Sequence, residues 1–339
     1  MNPVKSVIVV GASAGGLQAI SQLLEKIPQN LDAAILVVLH VSRHSLGNVL
    51  VQHLQKRTEF ACSIPENGEQ VQAGHIYIAK PDFHMLISSD QTIHFIKGPH
   101  ENRWRPSIDV LFRSAAVVFN SSTIGIILTG LLDDGTAGMM AIKRCGGVCI
   151  VQEPEEAQFG DMPTNVLNHV EVDYRVPIAD MGYILDDMKS KPEKPAAIVP
   201  EDIRTEAEMT ENMASSIDQL KTIGTQSDYT CPDCGGSLFM LNHGGLHRYR
   251  CFTGHVYTEK LLLDKQSETL EESLWTTIRR LEERRSLLQT TARHLHEVNQ
   301  PDMEAEKQNT AAELSDYIEK LKALVVSLSV NGPNNFVYE

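Results

Sequence analysis

Three polar residues whose side chains together could hydrolyse an ester each follow a run of strand-forming residues. Ser13 follows residues 7–10, His40 follows residues 34–39, and Asp134 follows residues 124–128. Because loops at the carboxyl edge of an open α/β sheet converge, we expect these three side chains to meet there. A serine hydroxyl can attack a carbonyl while an imidazole takes its proton, and a carboxylate orients that imidazole. The spacing therefore predicts a nucleophile, a general base and an orienting acid.

The turn that carries Ser13 has a second interpretation. Its sequence Gly11-Ala12-Ser13-Ala14-Gly15-Gly16 precedes a predicted helix, and the N-terminus of a helix can bind phosphate. A dinucleotide fingerprint, however, requires glycine where Ser13 stands and an acidic residue near the end of the second strand, where His40 stands. No G-x-x-x-x-G-K-[ST] sequence follows, so nucleotide binding is disfavoured.

Each predicted site residue also has a structural alternative. Ser13 and Asp134 could serve only as helix caps, and His40 could be an ordinary loop residue. His44 competes with His40 for the role of base, and Asp133 competes with Asp134. The joint placement of the three side chains favours catalysis over the separate structural roles.

The hydrophobic pattern divides the chain into four segments. Residues 1–188 alternate strand-like and helix-like stretches, which predicts an α/β domain with a doubly wound, mostly parallel sheet and a small antiparallel excursion. Residues 189–228 are rich in proline and charge and predict a mobile linker with a short helix at residues 207–220. Residues 229–257 predict a small zinc ribbon. Residues 258–330 predict a helical hairpin or coiled coil, because leucines recur mostly at sevens.

The cysteine spacing in the third segment is typical of a structural zinc site. Cys231 and Cys234 form a C-x-x-C-G-G knuckle, and Cys251 with His255 completes a Cys₃His set. Either His243 or His247 could replace His255 as the fourth ligand. A closed four-ligand site has no open position for catalysis, so we expect no cofactor in the reaction and Zn²⁺ only as scaffold.

Composition limits the partners. The 339 residues carry a net charge of −14, which excludes non-specific binding to nucleic acid or to anionic membranes. No apolar run reaches the length of a membrane span, no signal peptide is recognisable, and the cysteine use is that of a cytoplasmic protein. Residues 258–330 could instead pair with a coiled-coil partner or a second copy of the chain, and the sequence does not decide between these options.

Several motifs in the same order resemble the CheB-type chemotaxis protein-glutamate methylesterases over roughly residues 5–187. The matching segments are residues 11–16, His40, residues 74–79, 105–112, 127–130, 134–135, 138–139 and 162–163. The resemblance implies hydrolysis of glutamate methyl esters, and deamidation of glutamines, on receptor-type proteins. It assigns Ser13, His40 and Asp134 to the triad, the backbones of Ala14 and Leu131 to the oxyanion, and Arg105 and Met162 to the substrate side of the site.

Two departures from the family pattern affect these expectations. Leu132 stands where the family usually has glycine, and because leucine resists a positive φ we expect the loop to sit differently. The family's best-known members carry a receiver domain before the esterase, whereas here the first strand starts near residue 6. We therefore expect no control by an attached receiver within this chain. The alternative function is a non-catalytic signalling adaptor that uses the same fold, ribbon and helices for protein binding.

Overall fold

The computed structural model describes residues 4–189, 195–213, 215–243 and 245–331, and the chain divides into two compact units at Glu259. In chain order the strands are β1 (Val7–Ala12), β2 (Ala34–Leu39), β3 (Ala61–Ser63), β4 (Glu69–Gln70), β5 (His75–Ile78), β6 (His84–Ile87), β7 (Thr92–Ile96), β8 (Thr123–Ile127), β9 (Val148–Gln152), β10 (Tyr174–Val176), β11 (Thr225–Thr230), β12 (Ser237–His243), β13 (Leu246–Cys251) and β14 (Val256–Thr258). The α-helices are α1 (Gly16–Lys26), α2 (Gly47–Gln55), α3 (Ile108–Phe119), α4 (Thr136–Arg144), α5 (Asp161–His169), α6 (Ile178–Lys189), α7 (Glu201–Glu211), α8 (Ile217–Ile223), α9 (Glu259–Glu297) and α10 (Pro301–Asn331).

A seven-stranded sheet forms the centre of the first unit. Its order is β10-β9-β8-β1-β2-β5-β3, and every neighbouring pair is parallel. Alternate residues of β1 face opposite layers: Val7 and Val9 pack in the core that contains α3 and α4, whereas Ile8 and Val10 pack in the core that contains α1 and α6. Burial on both faces explains the continuous apolar runs of these strands. The predicted α/β fold with a mostly parallel sheet is confirmed.

The antiparallel excursion is a separate three-stranded sheet of order β4-β7-β6. Helix α3 packs against it, and the hydroxyl of Ser114 on α3 accepts a hydrogen bond from the backbone N–H of Ile87 on β6. The loop between β7 and α3, residues 97–107, crosses the carboxyl edge of the central sheet. The three-stranded sheet therefore fixes the position at which α3 begins.

The segment that was expected to be a mobile linker differs from that prediction. Within the described residues it contains α7 and α8, and α7 buries Ile203, Met209 and the carboxylate of Glu206. Glu206 pairs with Arg248 at 2.8 Å and with Arg113 at 3.2 Å. The sequence shows which residues are charged but not which of them pair. A helix packed against the domain therefore has the same composition as a solvent-exposed linker.

The remaining elements form a small sheet and a helical hairpin. Strands β11 to β14 make an antiparallel sheet in sequential order. In the second unit, α9 and α10 pack against each other through Ile278, Ile318 and Val325. This intramolecular packing is one of the predicted alternatives. Pairing of residues 258–330 with a second chain stays a prediction. Among the described residues, no helix combines the length and apolar character needed to cross a membrane.

We expect Glu206→Gln to destabilise the first unit by about 3–5 kcal/mol, because loss of the carboxylate leaves buried arginine charge without compensation. Urea unfolding followed by circular dichroism measures this change. Glu208→Gln, an exposed position on the same helix, serves as the control and should change the free energy of unfolding by less than about 0.5 kcal/mol. Equal stability of the two variants would contradict the docked position of α7.

Candidate active site

Ser13 lies in the turn between β1 and α1. Its backbone N–H donates to the carbonyl of Thr129 at 3.0 Å, and its own carbonyl accepts from the N–H of Gly16 at 2.8 Å. Gly15 has φ 73°, and the side chain of Gln158 lies where a Cβ at this position would be. A residue with a side chain would be strained and crowded there, so the glycine-rich sequence is required by the turn itself.

His40 follows β2 and lies beside Ser13. Ala12 and Leu39 are paired in the parallel register of β1 and β2, and the N–H of His40 donates to the carbonyl of Ala12 at 3.0 Å. Neighbouring strands are about 4.8 Å apart, so the residues that follow this pair are neighbours at the sheet edge. The imidazole of His40 stacks on the indole of Trp104, with ring centroids 4.0 Å apart and planes 10° from parallel.

Asp134 binds the imidazole of His40 at Nε2. Its Oδ2 lies 2.9 Å from His40 Nε2, and the carboxylate is 1% exposed. The N–H of Ile108, at the start of α3, donates to Oδ2 at 2.7 Å, and the hydroxyl of Ser107 donates to Oδ1 at 2.9 Å. Burial acts to raise the pKa of Asp134, but the His40 bond and charge and the further hydrogen bonds outweigh it and lower that pKa. The carboxylate therefore stays ionised although it is buried.

This arrangement decides which nitrogen of His40 can act as a base. A carboxylate that accepts from Nε2 places the ring proton on that atom and leaves the lone pair on Nδ1. Nδ1 is buried and has no hydrogen-bond partner among the described residues. Ser13 and His40 are not hydrogen-bonded to each other in the described part of the chain. Catalytic hydrogen bonds of this kind often shorten only when substrate is present.

A cleft of about 800 Å³ opens over the two residues. Its lining includes Ser13, Ala14, His40, Val41 and Gln158. Ser13 and His40 are each 8% exposed as residues, and the side chain of His40 is fully buried beneath the cleft. The alternative base, His44, lies in the exposed loop after β2, and it is Asp134 rather than Asp133 that contacts His40.

The four residues expected on the substrate side have different positions. Ala14 lines the cleft. Within the described residues, the backbone N–H groups of Ala14 and Leu131 have no hydrogen-bond acceptor. Arg105 does not line this cleft, because its guanidinium binds Asp82 at 2.6 and 3.0 Å and the carbonyl of Gly98 at 2.8 Å. Met162 is fully buried and contacts the backbone position of Gly130, beside Ser13.

Leu132 adopts the backbone conformation that the family's glycine would take. Its φ is 65°, its side chain is buried, and its carbonyl accepts from Asn165 Nδ2 at 2.7 Å. The left-handed conformation costs leucine roughly 1–2 kcal/mol, which burial of the isobutyl group offsets. The loop thus holds a positive φ at this position without the glycine.

Four residues that contact the site were not predicted as site residues: Asn102, Trp104, Ser107 and Asp109. Asn102 donates from Nδ2 to Asp134 Oδ1 at 3.1 Å and to Asp109 Oδ2 at 2.8 Å. Burial and the charge of Asp134 raise the pKa of Asp109 to about 8. The polar residues just before α3 and in its first turn were the available sequence signal for these contacts. Polar residues are equally expected wherever a helix begins, so they did not indicate a site.

A second cluster of chemically active side chains lies in the β11–β14 sheet. The ligand atoms of Cys231, Cys234, Cys251 and His255 lie within 4.8 Å of one another. His247 pairs instead with Glu259, at 3.9 Å, and the side chain of His243 lies outside the described residues. Of the proposed fourth ligands, the structure brings His255 to the cysteines.

Comparisons with known proteins relate the α/β part of the chain to one family. The family described as CheB methylesterase matches residues 8–185. A Leptospira interrogans relative is 38% identical over 167 residues, which are 49% of this chain and 86% of that protein. Proteins named protein-glutamate methylesterase/protein-glutamine glutaminase from Geobacter metallireducens and Thermotoga maritima are 32% and 33% identical, over 52% and 50% of this chain, and the matches span 49% and 50% of their own lengths.

One solved structure matches the α/β part. It is the catalytic domain of the Thermotoga maritima CheB methylesterase, with a TM-score of 0.52 and 30% sequence identity. The match covers 56% of this chain and all of that domain.

We expect the stability of the folded chain to fall as pH rises towards 8, because the folded state holds a proton on Asp109 that the unfolded state loses near pH 4. This contribution is fully present below about pH 4 and is lost through pH 8. The amide introduced by Asp109→Asn does not ionise. The melting temperature of this variant minus that of wild type should therefore rise between pH 5 and pH 9. Scanning calorimetry measures this difference.

Asp186→Asn is the control for that experiment, because it removes a carboxyl that is 65% exposed. Its melting temperature relative to wild type should show a smaller dependence on pH. A difference for Asp109→Asn that is constant from pH 5 to pH 9 would contradict a buried, protonated Asp109.

Proposed function

Because the chain belongs to the CheB methylesterase family, we propose that it hydrolyses the methyl esters of glutamate side chains on a receptor-type protein. The observation that carries this proposal is the contact between His40 Nε2 and the buried Asp134 carboxylate, which leaves Nδ1 as the basic nitrogen of the ring. Ser13 is the proposed nucleophile, His40 the general base and Asp134 the orienting acid. No cofactor takes part in this chemistry.

The reaction proceeds in two halves. In the first, Ser13 Oγ attacks the ester carbonyl as His40 Nδ1 takes the hydroxyl proton, and the tetrahedral intermediate collapses with transfer of that proton to the departing methanol. In the second, His40 removes a proton from water, which attacks the acyl-serine; the acyl–oxygen bond then breaks, His40 returns the proton to Ser13 Oγ, and the glutamate side chain leaves as the free acid, which ionises in water. Asp134 stabilises the imidazolium in both halves. The N–H groups of Ala14 and Leu131 are the proposed donors to the oxyanion.

The same attack on a glutamine side chain would release ammonia instead of methanol. The names of the Geobacter and Thermotoga relatives include this glutaminase activity, and we include it in the proposal for this chain. Family membership favours the enzyme over the adaptor hypothesis. None of the six cysteines, all of them in the described part of the chain, forms a disulfide, which supports a cytoplasmic location, where thiols stay reduced.

Structural zinc at the Cys₃His cluster is the second part of the proposal. Tetrahedral Zn²⁺ with Zn–S near 2.3 Å and Zn–N near 2.0 Å requires S···S distances of about 3.7 Å and S···N distances of about 3.5 Å. Cys234 Sγ and Cys251 Sγ are 3.7 Å apart, and His255 Nδ1 lies 3.5 and 3.7 Å from the sulfurs of Cys251 and Cys231. These residues fit the metal.

Ser13→Ala should reduce methanol release from a methylated receptor by at least about 10³-fold, because the nucleophile is removed. His40→Ala should do nearly the same, and the double variant should be no worse than either single variant, since the residues act as a unit. Release of labelled methanol is the assay. His44→Ala is the matched control and should retain wild-type activity. Full activity in Ser13→Ala would exclude the proposed nucleophile.

Purified protein should contain one zinc ion per chain by elemental analysis. Cys234→Ser should lower that content and the melting temperature, because structural zinc contributes to folding free energy. Cys62→Ser, outside the cluster, is the control and should keep the full zinc content. Wild-type protein that was refolded with zinc and still contains far less than one ion per chain would contradict the site.

A further inference from the structure

Two of the four unpredicted site residues lie on one irregular segment, residues 98–105, which we call the clamp loop. Asn102 donates a hydrogen bond to Asp134, and Trp104 covers one face of the His40 ring. The clamp loop therefore contacts both partners of the His40–Asp134 pair. Its position determines how freely the imidazole can rotate away from Ser13.

The clamp loop does not have a self-supporting conformation. Asn102 and Arg103 have φ values of 52° and 68°, two consecutive non-glycine residues in the left-handed region. Such residues keep this conformation only when their surroundings hold them. Bonds within the loop run from the N–H of Trp104 to the carbonyl of Glu101 at 3.0 Å and from Arg105 Nη1 to the carbonyl of Gly98 at 2.8 Å, and neither holds the backbone of Asn102 or Arg103 directly.

Arg113 on α3 binds Glu101 and Asp82 binds Arg105, and the β11–β14 sheet supplies a further set of external contacts. The N–H of Asn102 donates to the carbonyl of Val256 at 2.9 Å, and the N–H of Val256 donates to the carbonyl of His100 at 3.4 Å. The buried carboxylate of Glu101 accepts from Arg250 Nη1 at 3.2 Å. Thus Val256 and Arg250 hold the backbone and one side chain of the clamp loop.

These two supporting residues are the chain neighbours of two cluster residues. Arg250 immediately precedes Cys251, and Val256 immediately follows His255. Between them, residues 251–255 form a tight knuckle closed by bonds from the N–H of Cys251 to the carbonyl of His255 and from the N–H of Gly254 to the carbonyl of Cys251, both 3.0 Å. Arg250 and Val256 are also cross-strand partners. Whatever fixes the knuckle fixes both supports.

We propose that the Cys₃His sheet positions the active site through the clamp loop, and that Asn102 and Trp104 are positioning residues for the His40–Asp134 pair. This inference deepens the proposed esterase function and rests on it for its effect on catalysis. When the knuckle is ordered, Val256 and Arg250 hold the clamp loop, Asn102 fixes the Asp134 carboxylate, and Trp104 restricts the imidazole to the orientation that Ser13 needs. Loss of the knuckle loosens this orientation without removing any catalytic group.

Fluorescence provides a readout that does not require activity. The chain has two tryptophans, Trp104 and Trp275, so Trp275→Phe leaves Trp104 as the single reporter. Acrylamide quenches an indole that it can reach, and the stacked His40 ring covers one face of Trp104, so a titration with acrylamide at fixed pH reports whether the ring still covers it. The amplitude of this titration rises when the two rings separate, and it is measured in the full chain without substrate.

In the Trp275→Phe background, we expect His255→Ala to raise the amplitude of the Trp104 quenching titration at least twofold. It should lower kcat for ester hydrolysis about tenfold or more, with KM changed less than twofold, since misplacement of a catalytic group affects chiefly the chemical step. Removal of zinc with a chelator should have the same two effects. His255→Cys supplies a fourth thiolate and should restore both quantities. His247→Ala, the same residue type on the same sheet but outside the cluster, should match the parent protein.

Unchanged titration amplitude and unchanged kcat in folded His255→Ala would overturn the proposal. If circular dichroism shows that this variant does not fold, Trp104→Leu and Trp104→Phe decide the question. Leucine should lower kcat and shift the pH dependence of kcat, and phenylalanine, which retains a ring over His40, should recover a large part of both. Wild-type kcat and pH dependence in Trp104→Leu would contradict the positioning role.

The outcomes separate this proposal from the proposed function. If Ser13→Ala retains full activity, the esterase assignment fails, while the fluorescence titration still reports whether the knuckle holds Trp104 on His40. If Ser13→Ala is inactive and the titration does not respond to His255→Ala, the esterase assignment stands and the positioning by the Cys₃His sheet fails.

Discussion

The buried carboxylate of Asp134 is the interaction on which the rest of the site depends. An ionised carboxylate that is 1% exposed loses the solvation of water, and only hydrogen bonds and an opposite charge can replace it. Asp134 obtains these from the first backbone N–H of α3, from Ser107 and Asn102, and from His40. The start of α3, the clamp loop and the end of β2 must therefore all converge on one point. The catalytic geometry and the stability of the carboxylate have the same cause.

A second carboxyl group next to Asp134 shows how the site limits its charge. Asp109 accepts hydrogen bonds from Gly138 N–H and Asn102, yet its pKa is raised to about 8 by burial and by the charge of Asp134. Two like charges in one water-free region repel strongly, so one carboxyl stays protonated while the other is ionised. Because His40 binds Asp134, the ionised group is the one that can orient the imidazole.

The sequence predicts the part of the site that periodic structure positions. Runs of β-branched residues identified β1, β2 and β8, and the rule that parallel strands end at one edge brought residues 13, 40 and 134 together. The clamp loop has no such period: Trp104 and Asn102 lie in an irregular segment, and their roles depend on which surface the loop contacts. The sequence also could not reveal that Leu132 would accept a positive φ, since that depends on burial of its side chain. The position of Arg105 could not be predicted either, because it depends on the contact of its guanidinium with Asp82.

The same limit applies to α7. Glutamates in a segment with prolines are typical of a linker, and the sequence alone does not reveal that Arg113 and Arg248 meet Glu206 from α3 and β13. Arg113 also pairs with Glu101, at 2.9 Å, next to Asn102. The buried charges thus form one group in which α3, α7, β13 and the clamp loop each contribute a member, and removal of any one leaves an uncompensated charge on the others.

This group of charges gives the small sheet a physical reason to stay docked on the α/β domain. Arginine side chains on β13 are nearly fully buried, and separation of the sheet would take Arg248 from Glu206 and Arg250 from Glu101. Charged interfaces of this kind discriminate strongly between the correct register and any other, because a shifted register pairs no charges. The residues that hold the β11–β14 sheet against the α/β domain therefore also fix the clamp loop in one position over His40. Accurate placement of the imidazole follows from a docking contact that lies outside the cleft.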